Sequence, residues 1–234
     1  HPLKDLKEAP TFAAMIPMQV YNTLQVPKER SILMEIKHLI IGGGAIDDAL
    51  ANELKDFPNQ VWSTYGMTET LSHIALRKLN GTDASDWYTP FENVCIRLSE
   101  EGTLIIHAPN VCAEELITND IAEINEKGKF RILGRKDNTI NSGGVKIQIE
   151  QVESHLKKHL DTPFLISARK DAKFGEIVVL IYNKVENEDD IRRVCESELP
   201  TYWVPKAYIA VDELPMTGTG KPDRASARRI ANGE

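Results

Sequence analysis

The segment at residues 37–65 constrains the fold most, because it alternates strand, glycine turn, helix and strand. An apolar run at 37–41 is followed by three glycines at 42–44, by an amphipathic stretch from Asp47 to Phe57, and by a second strand pattern from Gln60 to Tyr65. Strands that alternate with helices are typical of α/β domains. The glycine turn is therefore expected at the carboxyl end of a strand, where open α/β sheets bind ligands.

The pattern changes twice further along the chain. Short β segments at 94–98, 103–106, 121–124 and 130–133 are separated by turns at Gly102 and Gly128. Beyond them, helix patterns at 148–159 and 188–198 alternate with strand patterns at 164–168, 177–182 and 207–211. We therefore predict two parts, residues 1–136 with an α/β and a β-rich region, and residues 137–234 as a small α+β domain.

Composition excludes several classes of function. The net charge of −7 argues against a nucleic-acid-binding protein. No apolar run approaches the roughly 20 residues of a membrane span, so a soluble protein is expected. The three cysteines form no CxxC pair and the histidines no HExxH, which predicts neither disulfides nor a transition-metal site and fits the cytoplasm. Because residues 1–4 contain neither an initiator Met nor a signal-type core, we expect the chain to begin partway through a longer protein.

Two strings carry the chemistry. Ser-Thr-Tyr-Gly-Met-Thr-Glu-Thr at 63–70 places a hydroxyl, Thr68, beside a carboxylate, Glu69, which suits contact with a phosphate and with magnesium. Pro-Met-Thr-Gly-Thr-Gly-Lys-Pro at 215–222 supplies Lys221 on a loop that could close on a phosphate. The prolines at 215 and 222 exclude a P-loop. Each string alone also suits an ordinary turn or a solvated lysine.

Three weaker signals accompany them. The glycines at 42–44 do not match the dinucleotide fingerprint, since its third glycine would fall at Asp47, but they permit close approach of a flat base. Asp120 and Arg135 flank a short β hairpin and could meet on a ribose, or form an exposed salt bridge. The glycine-rich turn at 142–146 precedes a helix and suits a narrow channel, a phosphate or simply a helix entry.

Six motifs, in this order, resemble the acyl-adenylate-forming superfamily of acyl-CoA synthetases, peptide-synthetase adenylation domains and luciferases. They are GGG at 42–44, YGMTE at 65–69, Thr118-x-Asp120, GRKDN at 134–138, SGGVKI at 142–147 and PMTGTGKPDR at 215–224. The resemblance implies that residues 1–136 are the C-terminal part of the large AMP-binding domain, a sheet with helices plus a β-barrel-like region. Residues 137–234 would be the small mobile domain that carries the catalytic lysine.

The resemblance also implies a role for each position in the first reaction step. The implied adenine and acyl pocket consists of Gly43, Gly44, Ala45, Ser63, Tyr65, Gly66 and Met67. Thr68 would contact the α-phosphate and Glu69 the magnesium ion, while Asp120 and Arg135 would hold the ribose. Lys221 would stabilise the oxygens on which charge develops as the acyl adenylate forms.

For the second step, the resemblance implies a rotation of the small domain. Asp137 matches the hinge, and Gly143, Gly144 and Lys146 match the channel for coenzyme A. The family's Ser/Thr/Gly-rich phosphate loop is absent from these residues, so the chain alone is expected to form acyl adenylate poorly and to bind adenine nucleotides weakly.

The compact region after the first string narrows the resemblance. Residues 70–77 and 141–148 are similar to the o-succinylbenzoate–CoA ligases of menaquinone synthesis. Their substrate carries two carboxylates, and Ser72 and His73 are candidates for binding the one that is not activated. Alternatively, His73 packs at a strand edge.

The resulting interpretation is an AMP-forming acid–CoA ligase that uses ATP, magnesium and coenzyme A without a tightly bound cofactor. Three alternatives remain open: a ligase for another aryl or fatty acid, an adenylation domain that loads a carrier protein, and a non-catalytic nucleotide-binding module. Whether the protein forms a homodimer also stays open.

Overall fold

The computed structural model describes residues 2–218 and 221–234, and the chain divides into two compact units, His1–Ile132 (unit 1) and Leu133–Glu234 (unit 2). Unit 1 contains strands β1 (Phe12–Met15), β2 (His38–Ile41), β3 (Gln60–Gly66), β4 (His73–Lys78), β5 (Thr89–Pro90), β6 (Cys95–Leu98), β7 (Thr103–His107) and β8 (Leu116–Ile124). Strand β9 (Phe130–Arg135) begins in unit 1. Its helices are α1 (Pro17–Leu24), α2 (Pro27–Glu35) and α3 (Asp48–Leu54).

The first sheet of unit 1 holds the predicted strand–turn–helix–strand segment. Its strand order is β1-β2-β3-β4-β5, with β1, β2 and β3 parallel and with β4 antiparallel to β3. Residues of β1, β2, β3 and all three helices share one core, in which Leu33, Leu39 and Leu54 are fully buried. Helix α3 begins where the Asp47 carboxylate accepts the Leu50 N–H at 2.9 Å, a standard N-cap. Three parallel strands therefore end at one edge.

The second sheet of unit 1 is the predicted β-rich region, with the order β6-β7-β8-β9. Leu104, Ile106 and Phe130 are fully buried in its core. Tyr65, at the end of β3, packs against the same core. The end of β3 is thus in contact with the second sheet.

Unit 2 is a five-stranded sheet with helices on both faces. Its strands are β10 (Thr139–Ser142), β11 (Val145–Gln148), β12 (Phe164–Asp171), β13 (Gly175–Asn183) and β14 (Ala207–Val211), and its helices are α4 (Ile149–Leu156), α5 (Glu188–Glu198) and α6 (Arg224–Asn232). The order is β11-β10-β13-β12, with β14 parallel to β13. Leu180 packs with α4 and α5, whereas its neighbour Val179 packs with α6, because alternate residues of a strand point to opposite faces.

The α/β class is confirmed, and α5 and β14 have the predicted bounds. Helices α3 and α4 are shorter than the predicted 47–57 and 148–159. The glycine turn at 142–146 is a hairpin turn between β10 and β11 as well as the approach to α4. Gly143 and Gly144 have φ angles of 59° and 85°, which suit the primed turns that join two short antiparallel strands.

Candidate active site

The glycine turn at 42–44 and the string at 63–70 meet at the carboxyl edge of the first sheet. Strands β2 and β3 are parallel neighbours with Ile41 opposite Ser63, so the glycines at 42–44 lie beside the string that starts at Ser63. A Cβ on Gly42 would lie 2.2 Å from the Thr64 Oγ1, and Gly43 has a φ of 73°. Only glycine fits both demands without a shift in the neighbours.

The residues at 67–72 form a tight turn that presents Thr68 and Glu69 to solvent. Both side chains are exposed on a single 3₁₀ turn, Thr68–Thr70. The fully buried Thr70 lies beneath it, where its hydroxyl accepts the Met67 N–H at 3.0 Å and lies 2.6 Å from the Ser72 carbonyl oxygen. Thr70 therefore fixes the turn from within, a role that its place at the end of the string did not suggest.

Tyr65 links the first string to the predicted ribose residue. Its hydroxyl donates to Asp120 Oδ2 at 2.6 Å, and its ring contacts Tyr88 and Phe130 at centroid distances of 5.8 and 5.1 Å. The Ser63 and Tyr88 hydroxyls lie 2.8 Å apart. An aromatic cluster thus holds two predicted pocket residues and orients a third, although the sequence did not single out Tyr88 or Phe130.

Ser72 and His73 lie at the start of β4. The Ser72 hydroxyl is 3.0 Å from His73 Nδ1, and the imidazole packs edge-on against Phe91 at 5.4 Å. The side chain of Ser72 is exposed and that of His73 is half-buried. This pair can bind a carboxylate, yet the packing on Phe91 also satisfies the strand-edge alternative.

Unit 1 therefore brings together Gly43, Gly44, Ala45, the residues 63–69 and Asp120. Gly66 closes the arrangement, because a Cβ there would lie 2.3 Å from the Ser72 carbonyl oxygen and 2.6 Å from the His73 Cα. The backbone of β4 thus passes directly over the first string. No larger side chain is compatible with that approach.

The carboxylate of Glu69 at this turn suits the way in which proteins usually bind magnesium. Among the residues that the structure describes, no three His, Cys, Asp or Glu side chains cluster as a ready-made metal site. Magnesium is usually held by one or two carboxylates together with substrate phosphates, instead of by an all-protein cage. The exposed Glu69, next to Thr68, fits that donor set.

In unit 2, the predicted ribose residue Arg135 and the predicted hinge Asp137 form an ion pair. Arg135 Nη2 lies 3.0 Å from Asp137 Oδ2, and both side chains are about half exposed, at 50% and 57%. The pair spans a short 3₁₀ turn, Lys136–Asn138, that follows β9. Gly134 before it is buried, since a Cβ would lie 2.6 Å from a Glu150 carboxylate oxygen.

The turn predicted for coenzyme A lies at the end of the β10–β11 hairpin. Gly143 donates its N–H to the Phe174 carbonyl at 2.8 Å, while Gly144 and Lys146 are exposed. An open cavity of about 660 Å³ adjoins this hairpin, lined by Asn141, Lys170, Asp171, Ala172, Gly175 and Glu176. The turn is therefore accessible from within its own unit.

Lys221 lies on one arm of a paired stem, opposite Thr217. Its backbone oxygen accepts the Thr217 N–H at 2.7 Å, and its own N–H donates to the Thr217 hydroxyl at 3.1 Å. Met216 and Pro222 form an antiparallel bridge. Thr219 and Gly220, part of the predicted Thr-Gly-Thr-Gly run, lie outside the described residues. The flexible loop expected from the glycines thus has a paired stem.

The stem continues into an anchor that the sequence did not reveal. Arg224, the first residue of α6, makes a two-pronged ion pair with Glu153 of α4 at 2.7 Å for each prong, and its side chain is only 25% exposed. Burial alone would lower the pKa of Arg224, but the hydrogen bonds and charge of Glu153 raise it overall. Asp223 caps α6, and its carboxylate accepts hydrogen bonds from the hydroxyl and the N–H of Ser226. These bonds lower the pKa of the Asp223 carboxyl, and the bond from the hydroxyl contributes more.

Comparison with known proteins places the chain in a family. The family model described as the AMP-binding enzyme C-terminal domain matches residues 165–221. A 2-succinylbenzoate–CoA ligase from Listeria monocytogenes is 23% identical over 214 residues, which cover 81% of this chain and 45% of the ligase. The chain therefore spans about half the length of the curated relatives it matches.

Solved structures share the fold. The o-succinylbenzoate CoA synthetase from Bacillus subtilis, in complex with its acyl-adenylate intermediate, is 22% identical with a TM-score of 0.74, over 93% of this chain and 50% of that one. An acyl-CoA synthetase (AMP-forming)/AMP-acid ligase II-like protein from Dyadobacter fermentans is 32% identical with a TM-score of 0.57, over 97% of this chain and 67% of that one. At that identity and coverage, the chain belongs to the family of AMP-forming acyl-CoA synthetases and AMP-acid ligases.

Proposed function

We propose that this chain supplies the C-terminal part of an acid–CoA ligase. The ligase activates a carboxylic acid with ATP, releases pyrophosphate, and then transfers the acyl group from AMP to the thiol of coenzyme A. The Tyr65–Asp120 hydrogen bond carries this proposal, because it joins the string that we assign to the adenine to the carboxylate that we assign to the ribose. The exposed Thr68 and Glu69 follow on the same string.

In the first step, residues of the chain position the nucleotide and stabilise the charge that develops. Gly43, Gly44 and Ala45 offer a surface against which a flat base can lie, since glycine lets a ligand approach the backbone closely. The Thr68 hydroxyl donates to an α-phosphate oxygen. Lys221 supplies a cation where the carboxylate oxygen attacks the phosphorus, so that negative charge is offset as it develops.

Magnesium would be held by Glu69 together with the ATP phosphates, and when bound it offsets the charge of the pyrophosphate leaving group. Arg135 would complete the ribose contact with Asp120 when nucleotide is bound. We propose that residues 1–136 are the large-domain part and residues 137–234 the mobile small domain, with Asp137 as the hinge.

In the second step, we propose that the Gly143–Gly144 turn and Lys146 admit the thiol arm of coenzyme A. Two adjacent glycines with positive φ present an exposed turn without side chains, which a ligand can approach closely. The neighbouring cavity of about 660 Å³ has room for the approaching arm. The thiol gives its proton to solvent, its sulfur attacks the acyl carbon, and the bond from that carbon to the AMP oxygen breaks, with the electron pair leaving on AMP.

We propose o-succinylbenzoate as the acid. Support comes from the name of the Listeria relative and from Ser72 and His73, which lie 3.0 Å apart at the start of β4 and can bind a second carboxylate together. The cytoplasm, where ATP and coenzyme A are available, is the proposed location. In the described residues no helix is long and apolar enough to cross a membrane.

The test is ATP–pyrophosphate exchange by the complete natural protein that contains these residues, with o-succinylbenzoate, benzoate and medium-chain fatty acids. Exchange with o-succinylbenzoate alone supports the acid. Exchange with a different acid keeps the mechanism and discards this substrate, while no exchange with any acid contradicts the function. Assays of the 234-residue chain alone should give little exchange.

The substrate residues have their own test. His73→Ala should raise the apparent KM for o-succinylbenzoate at least about tenfold, as expected when a site built for a polar group loses one donor. Phe91→Leu is the control, because it loosens the packing of the imidazole without removing a donor. An unchanged KM in His73→Ala would leave only the strand-edge role.

A further inference from the structure

The paired stem that carries Lys221 leads directly into α6, whose first residue is bonded to the body of unit 2. Asp223 donates its N–H to the Pro215 carbonyl at 3.0 Å, so both arms of the stem are paired before the chain enters α6. The next residue, Arg224, then reaches Glu153 on α4. Lys221 is therefore three positions from a buried ion pair.

Several hydrogen bonds hold both partners of that ion pair. Glu153 is 7% exposed and accepts both prongs of the guanidinium and, in addition, the Ile166 N–H at 2.8 Å. Arg224 also donates to the Ile166 carbonyl at 3.2 Å. A planar guanidinium that grips a carboxylate with two parallel bonds fixes orientation as well as distance, which an ammonium group cannot do.

We infer that the Arg224–Glu153 pair is a positioning device for Lys221. It rests on the proposed function of Lys221 in adenylation. The pair locks the first residue of α6 to α4 and β12, and the paired stem transmits that position to the lysine backbone. A catalytic cation displaced by about 1 Å can cost on the order of a hundredfold in rate. The anchor should therefore affect adenylation more than thioester formation.

One variant separates position from charge. Arg224→Lys keeps the cation but loses the two-pronged ion pair. The matched control is Arg193→Lys, which makes the same chemical change in an exposed ion pair of α5, where Arg193 Nη2 lies 2.6 Å from Asp190 Oδ1. In the complete natural protein, Arg224→Lys should lower kcat of pyrophosphate exchange about 10–100-fold with little change in the KM for ATP.

The second half-reaction supplies the contrast. Thioester formation from a synthetic acyl adenylate should stay within about twofold of the unaltered protein in Arg224→Lys, because the proposed function assigns Lys221 to adenylation alone. Arg193→Lys should leave both half-reactions unchanged. If Arg224→Lys lowers both half-reactions by the same factor, or lowers neither, the positioning role is refuted.

A readout independent of activity tests the anchor itself. Amide hydrogen exchange in the 234-residue chain should become about tenfold faster or more at Thr217, Lys221 and Asp223 in Arg224→Lys, while the amides of the β12–β13 pair keep their protection. Unchanged protection of the three stem amides would refute the inference. This measurement decides the matter even if the unaltered protein shows no exchange of pyrophosphate, a result that would overturn only the proposed function.

Discussion

Replacement of Gly42 by alanine should destabilise unit 1 through one atom. The Gly42 φ lies outside the left-handed range, so alanine can adopt its backbone conformation. The added Cβ would lie 2.2 Å from the Thr64 Oγ1, where ordinary contacts begin at 3.4 Å, but 3.6 Å from the Thr64 Cβ. The whole cost therefore comes from the hydroxyl oxygen of Thr64.

The size of the effect follows from that overlap. A misfit of about 1 Å in a packed region costs about 1–3 kcal/mol in the free energy of unfolding. Thr64→Ala alone should cost about 1 kcal/mol, as a typical substitution does. Because it also removes the clashing oxygen, the double variant should be more stable than the sum predicts, with a coupling free energy of about 1–2 kcal/mol.

Gly43 provides the control within the same turn. A Cβ there would contact only the Ile16 Cγ2, at 3.4 Å, but its φ of 73° makes alanine cost about 1–2 kcal/mol for backbone reasons. Thr64→Ala cannot relieve that cost. The Gly43→Ala and Thr64→Ala effects should therefore add within about 0.5 kcal/mol.

The assay is urea unfolding of the 234-residue chain in a Trp203→Phe background. Of the three tryptophans, Trp203 alone lies in unit 2, so the remaining fluorescence reports unit 1. Midpoints at unchanged slope give the free energies. A coupling below about 0.5 kcal/mol for Gly42 and Thr64, or an equal coupling for Gly43 and Thr64, would refute the reasoning.

Three further predictions concern single side chains. Tyr65→Phe should lower the free energy of unfolding of unit 1 by about 1–2 kcal/mol, since it removes a hydrogen bond to the Asp120 carboxylate. Asp120→Asn keeps an acceptor for the Tyr65 hydroxyl, so it should lower this free energy less. An equal or larger effect of Asp120→Asn would contradict the reasoning. Glu69→Gln should lower pyrophosphate exchange by the complete natural protein about tenfold or more and raise the magnesium concentration for half-maximal rate, with unfolding unchanged; an unaltered magnesium dependence would count against it. Burial raises the pKa of the Cys195 thiol to about 11, so at pH 8 a thiol reagent should modify the exposed Cys95 but reach Cys195 only after unfolding, and rapid native labelling of Cys195 would contradict its burial.

Local patterns predicted the elements that carry their own signals. Helix α5 was predicted with its bounds, because the Asn187 side chain caps it and three acidic residues fill its first turn. Helices α1 and α2 were not predicted, since their N-cap residues are Ile16 and Val26, whose side chains make no capping bond. Both helices have a proline at their first position, Pro17 and Pro27, but prolines also suit turns.

The candidate site divides in the same way. The strings at 63–70 and 215–222 could be predicted because the reactive residues of each motif are neighbours in the sequence. The contacts that hold them were not predicted, since Asp120 is 55 positions from Tyr65 and Glu153 is 71 positions from Arg224. No periodicity or spacing reports such pairs, because they arise only when separate strands and helices pack together.

These distant partners limit the positions open to Lys221, the lysine that we propose acts in adenylation. A loop with free glycines would let Lys221 sample many positions, and the entropy of ordering it would oppose each encounter with a phosphate. The bonds from Thr217 fix the lysine backbone instead, and Glu153 fixes the stem through Arg224. The Lys221 backbone is thus tied to unit 2 through its stem and Arg224, which reduces the entropy that is lost when the lysine is ordered.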